Sequence, residues 1–180
     1  VKALTLWQPY AFLIAWGDKT IETRSWSTKY RGSLAIHAAK QCHTGTIGDY
    51  TIEDDTPRRS PKQYMVRSPS IAWPYRVPLG AIVATCELVD VVPMCPMGEQ
   101  SNLRRIELCE SGALWLSEPD HEENGEEHTI EITGQRPYGD FAPGRYGWLL
   151  DNVQAVGPFQ SPPGEFHRGL WEAKVTINGD

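Results

Sequence analysis

Closely spaced cysteines are missing from this chain. Its four, Cys42, Cys86, Cys95 and Cys109, lie far apart and form no Cys-x-x-Cys pair. Structural zinc sites draw on tighter pairs, so neither a metal nor another cofactor is expected. Free thiols in a reducing cytoplasm are the simplest setting. Long apolar runs are missing as well. Nothing approaches the roughly 20 residues that span a bilayer, and Lys2 to Trp7 reads directly as structure rather than as a signal peptide. No internal repeat is visible. An excess of positive charge is also absent: the net charge is −6, which argues against a general polyanion binder.

What is there describes an ordinary soluble globule. With 180 residues, 40% apolar and 22% charged, the chain is expected to form one domain, residues 1 to 180, with a full core. The charge is unevenly placed. Residues 1 to 40 carry Lys2, Lys19, Arg24, Lys29, Arg31 and Lys40 against Asp18 and Glu22, a balance of +4. Local positive potential on an acidic protein can hold a phosphate while overall charge discourages coating of a long duplex. A small or short nucleic-acid ligand suits that pattern.

The stretch Gly17-Asp18-Lys19-Thr20-Ile21-Glu22-Thr23-Arg24 organises the rest. Pro9 to Trp16 reads as a short helix with Pro9 at its first position, and Gly17 as its left-handed stop. Thr20 to Trp26 reads as a strand. Alternation puts Ile21 and Thr23 on one side and Thr20, Glu22 and Arg24 on the other. With Ile21 on the core side, Glu22 and Arg24 share an open face and Lys19 sits at its lip. The same three charges also read as plain surface ion pairs, which contribute little.

Further along, Ser33 to Ala39 reads as a strand with Leu34 and Ile36 inward. Ala35 and His37 then fall on the opposite face, where a flat ligand could approach; a half-buried histidine bonded to backbone is the other reading. Residues 41 to 78 form a polar, proline-punctuated insertion with a basic loop at 57 to 62. Such a loop is either a solvated excursion or a flap meeting phosphate through Arg58, Arg59 and Lys62. Leu79 to Val92 is the clearest strand, rich in β-branched residues and nearly continuous in its hydrophobicity, with Glu87 interrupting it. A carboxylate inside such a run needs a partner if buried, with Lys19 or Arg24 as candidates. Residues 95 to 137 form a second polar insertion. In it, Leu103, Ile106, Leu108, Leu114 and Leu116 allow helical turns, residues 118 to 127 form an exposed acidic loop, and Thr129 to Thr133 allows a short strand. Tyr146 to Asp151 and Val153 to Val156 read as two strands broken at Asp151-Asn152. Gln160 to Gly164 is a proline-rich connection, and Gly169 to Ile177 a last strand. Many short strands and few helices predict a mainly β fold with peripheral helices.

Gly-x-Lys-x-x-Glu-x-Arg between a short helix and a strand resembles the signature of the ASCH (activating signal cointegrator homology) domain. Gly32-Ser33-Leu34-Ala35-Ile36-His37-Ala38-Ala39 and Gly144-Arg145-Tyr146-Gly147-Trp148-Leu149-Leu150, with Gly169-Leu170-Trp171, fit its larger bacterial and phage-type members. The resemblance implies a barrel of the PUA-like superfamily whose charged cleft binds RNA, short single-stranded nucleic acid or a modified nucleoside. By motif position, Lys19, Glu22 and Arg24 are the cleft residues. Lys29 and Arg31 join them as phosphate contacts, with Trp26 and Tyr30 as stacking rings and His37 on the adjacent strand. Trp7, Trp16, Trp115, Trp148 and Trp171 read as core or seam residues.

Two other functions stay open. A smaller relative with this fold is an amidohydrolase acting on N4-acetylcytidine through a lysine, a threonine three residues later and a glutamate on another strand. Here Lys19 matches the lysine, Glu22 replaces the threonine, and Glu87 is the nearest strand carboxylate. Carboxylates at Glu22 and Glu87 would hold Lys19 charged, which favours binding over base catalysis. A ribonuclease would need an acid–base pair near a phosphate, for which Glu22 with Lys19 or His37 can be written. Finally, the loops at 57 to 62 and 118 to 127 could dock a protein partner.

Overall fold

The computed structural model describes residues 1–98, 103–118, 128–156 and 169–173. The chain forms two compact units. The first comprises Val1–Lys19, Ser33–Glu87 and Asn152–Asp180, and the second Thr20–Gly32 and Leu88–Asp151.

In the first unit, β1 (Lys2–Gln8) pairs in parallel with β3 (Gly32–Cys42) and antiparallel with β13 (Leu170–Glu172). The first half of β8 (Ala81–Pro96) lies on the other side of β3. Helix α1 (Tyr10–Trp16) follows β1. Its start is held by Gln8, whose side chain is fully buried. The Gln8 amide oxygen accepts from the Phe12 N–H at 3.0 Å, and its Nε2 donates to the Pro78 carbonyl at 2.8 Å. One of the helix's orphan N-terminal donors is thereby satisfied. Pro9 sits one position before the helix rather than inside it.

Residues 41 to 78 correct the expectation of a structureless insertion. They fold into a four-stranded antiparallel sheet of β4 (Gly45–Ile47), β5 (Tyr50–Asp54), β6 (Tyr64–Arg67) and β7 (Tyr75–Arg76). Tyr50 and Ile52 on β5, and Tyr64 and Val66 on β6, are buried at alternate positions. The period of two was present but confined to runs too short to stand out between prolines. The basic loop is the exposed β5–β6 turn, closed by Thr56 and Gln63 and with Lys62 on Asp54 at 2.6 Å.

The second unit holds β2 (Ile21–Arg24), the later half of β8, β9 (Arg105–Leu108), β10 (Leu114–Glu118), β11 (His128–Glu131), a 3-10 turn (Thr133–Tyr138) and most of β12 (Tyr146–Ala155). The order β11-β10-β9-β8 is built from antiparallel pairs except for parallel β8–β9. β12 pairs with β2 and β8. The helical turns expected over Leu103 to Leu116 are therefore strands. Ile106, Leu114 and Leu116 pack into one core with Ile21, Val92 and Met94. Tyr146 to Ala155 is one strand, the expected break surviving only as a left-handed Asn152 at φ 47°. Of the acidic loop only Glu118 is described. Residues 119 to 127, the proline-rich connection at 160 to 164, and 174 to 177 of the last strand lie outside the described residues.

Among the described residues, the strands of neither unit close into a ring. The chain is largely sheet with few helices, consistent with a PUA-like β fold. Among the described residues no helix is long and apolar enough to cross a membrane.

Gly147 on β12 offers a packing test. A Cβ there would stand 2.4 Å from Ile106 Cδ1 and 3.3 Å from Ile21 Cγ2. Gly147→Ala is expected to overpack this core and lower unfolding free energy by about 1–3 kcal/mol, measured by urea denaturation.

Candidate functional site

The motif begins where α1 stops. Gly17 takes a left-handed conformation, φ 95°, and donates to the Ile14 carbonyl at 2.9 Å. The N–H groups of Asp18 and Lys19 both reach the Leu13 carbonyl at 3.1 Å. This tight return buries Lys19, which is 1% exposed. Its ammonium lies 5.8 Å from the centre of the Tyr10 ring, within cation–π range. Asp18 is fixed by a short hydrogen bond from the Tyr50 hydroxyl. Neither Tyr50 nor Asp18 was legible as a supporting residue, because the partner arrives from a strand 32 residues away.

Glu22 and Arg24 belong to the second unit, on β2 opposite Trp148 and Tyr146. They share a face as alternation requires, and Arg24 Nε lies 3.1 Å from Glu22 Oε1. That face is not open, which corrects the sequence reading. The Glu22 side chain is only 8% exposed and that of Arg24 26%. The opposite face is covered too. Thr23 Oγ1 accepts from the Asp140 N–H at 3.1 Å, and a Cβ on Gly139 would lie 2.6 Å from Thr23 Cγ2. Strand alternation can assign faces, but only tertiary packing decides which face is covered.

The residues that follow divide by role. Trp26 is half-buried, edge-to-face with the fully buried Trp148 at 4.7 Å, and its carbonyl accepts from Trp148 Nε1 at 3.4 Å. Arg31 is occupied by structure: it pairs with Asp90 at 2.7 Å and donates to the carbonyls of Thr28 and Tyr30. Burial opposes ionisation of Asp90. The Arg31 and Val91 hydrogen bonds and the charges of Arg31 and Arg104 outweigh it, leaving the carboxyl below the usual range. Tyr30 is half-buried, its N–H on Thr28 Oγ1 at 3.1 Å. Lys29 is exposed and makes no ion pair among the described residues.

In the first unit, His37 is fully buried. Its Nδ1 lies 3.2 Å from Thr5 Oγ1, which also accepts from Trp171 Nε1 at 3.0 Å. The Trp171 ring stands edge-on to the imidazole at 5.7 Å. The face expected to admit a flat ligand is thus covered by the Trp171 side chain. Burial lowers the His37 pKa to about 4; a backbone hydrogen bond at Gly80 opposes the shift and the Lys40 charge adds to it. The folded protein therefore binds His37's proton less readily than the unfolded chain, whose histidine titrates near 6.5. The associated stability is fully present above about pH 6.5 and is lost as pH falls toward about 4, up to about 3 kcal/mol. Urea midpoints at pH 7 and pH 5 are expected to differ, and the difference to shrink in His37→Gln.

Glu87 lies on the exposed side of β8, between buried Cys86 and Leu88, and makes no ion pair among the described residues. The expected pairing of a buried Glu87 with Lys19 or Arg24 is overturned: the residue alternates outward and has no need of a partner. All four cysteines are free thiols. Burial pushes the Cys42 and Cys86 thiols up to about 12, helped by Asp54 and Glu87 respectively, so neither supplies a thiolate at neutral pH. No cluster of potential metal ligands exists among the described residues.

A family model described as the ASCH domain matches residues 4–137, more than half of the chain. No curated protein matches it.

Proposed function

The chain belongs to the ASCH domain family, and we propose that it binds short single-stranded RNA or a modified nucleoside through its Gly-x-Lys-x-x-Glu-x-Arg motif. Interaction with nucleic acid is the general character of that family. The observation that carries the reading to this site is the burial of Lys19, 1% exposed against the Tyr10 ring. Desolvating an ammonium is costly, and an apolar residue at such a position folds more cheaply. A cation held there at that cost supports a role in recognition. Its burial disfavours contact with the side of a duplex and favours a single base or nucleoside. Lys19 would donate to the base's polar edge, with Glu22 and Arg24 as the motif's further polar groups. Exposed Lys29 would meet phosphate, whereas Arg31 is spent on Asp90.

The alternative, a hydrolase using Lys19, Glu22 and Glu87, has no observation in its favour beyond Lys19. Salt titration tests the binding reading. Affinity for a short RNA is expected to fall only shallowly with salt, as for one or two phosphate contacts, and Lys29→Ala to flatten the slope by about one. A steep slope, or duplex bound as tightly as single strand, would contradict it.

A further inference from the structure

Helix α1 presents Phe12 and Trp16 one turn apart, their rings edge to face at 4.6 Å. Tyr75 of β7, in the same unit, lies 5.4 Å from the Phe12 ring and 5.6 Å from that of Trp16. The three rings wall a cavity of about 280 Å³ completed by Pro78, Val83 and Ala155. Trp16 is 47% exposed and Tyr75 37%, so these two rings line an open mouth, with Phe12 buried behind them at 4%. The volume is at the small end for ligand pockets and suits one flat ring system.

A second cavity shares Pro78 and is lined by Lys62, Gln63 and Arg76. Lys62 is held by Asp54, but Arg76 is exposed and makes no ion pair among the described residues. Arg58 and Arg59, in the β5–β6 turn of the same small sheet, are likewise exposed without ion pairs among the described residues. Aromatic rings with Arg76 lining the adjoining cavity complement a planar base joined to an anion. An apolar peptide would leave the cations unused.

We propose that this aromatic pocket is a base-stacking subsite for one nucleotide of a single strand, with the base against Trp16 and Tyr75 and its phosphate on Arg76. The subsite does not depend on the Lys19 reading, since it uses no motif residue.

The test follows the indole N–H signal of Trp16, identified by its loss in Trp16→Phe, during titration with adenosine 5′-monophosphate, adenosine, ribose 5-phosphate and a leucine-rich peptide. The monophosphate is expected to move the signal saturably, adenosine more weakly, and ribose 5-phosphate not at all. Tyr75→Ala is expected to weaken binding about fivefold or more while Tyr75→Phe retains it. Arg76→Gln should weaken the monophosphate and spare adenosine. Lys19→Met should leave the Trp16 response in place, which separates this subsite from the motif. A signal unmoved by both nucleotide ligands at millimolar concentration, or moved only by the peptide, would overturn the proposal. So would an Arg76→Gln protein that binds the monophosphate as well as the wild type.

Discussion

Replacing Lys19 by methionine is expected to weaken binding of the cognate nucleoside or short RNA by about ten- to a hundredfold. Methionine keeps an unbranched side chain close to the lysine stem in length, so the change removes chiefly the charge. A hydrogen bond from a buried cation contributes about 1.5–3 kcal/mol, more than a neutral one, and no exposed lysine could replace it at this position. The loss should persist at moderate salt, because a buried contact is screened far less than a surface one. Titration at two ionic strengths checks both parts. The cause lies in the chain reversal at Gly17, which folds Lys19 back under α1 with its N–H on the Leu13 carbonyl.

The second large effect is on stability. Arg24→Ala is expected to destabilise the protein by about 2 kcal/mol, because Glu22, with its side chain only 8% exposed, loses the guanidinium beside it. Breaking a buried pair from one side costs about 3–5 kcal/mol. The lower figure applies here because Arg24 is about a quarter exposed and the pair is partly screened. Glu22→Ala should cost less than Arg24→Ala, since a long, partly exposed guanidinium can turn toward water whereas the carboxylate cannot. Removing both should cost less than the sum of the single changes, and a double-mutant cycle in urea measures that coupling.

Those two residues also mark how far the sequence could be read. Alternation correctly put Glu22 and Arg24 on one face, and the glycine stop correctly ended the helix at Gly17. What alternation could not convey is that both faces of the strand are covered. Gly139 and Asp140 close over Thr23, and Trp171 covers His37 from a strand well over a hundred residues away. The apolar run over residues 81 to 92 identified the long strand because β-branched side chains suit a pleated sheet. Its Glu87 was misread because the run looked buried on both faces, whereas Cys86, Glu87, Leu88 and Val89 in fact alternate in and out. The strands at 105–108 and 114–118 were mistaken for helix. Paired leucines and isoleucines two apart, Ile106 with Leu108 and Leu114 with Leu116, carried the correct period in segments of only four and five residues.

Aromatic residues were the least legible. Trp148 and Trp171 are buried as their size suggests, but Trp7 and Trp16 are about half exposed. An aromatic at a helix end looks the same in sequence whether it meets a core or an opening. Here Tyr75, from a stretch without visible periodicity, decides the matter for Trp16.

The most direct test of the central claim is a binding and turnover panel run in parallel on the wild type and Lys19→Met. The ligands are short RNA, short DNA and free nucleosides including N4-acetylcytidine, with binding read by fluorescence and products by chromatography. Saturable binding of single-stranded RNA or a nucleoside by the wild type, without product, is expected, with loss of most of that affinity in Lys19→Met. A variant that binds every ligand as the wild type does would contradict that claim, because the buried lysine would then be a structural charge and recognition would lie elsewhere.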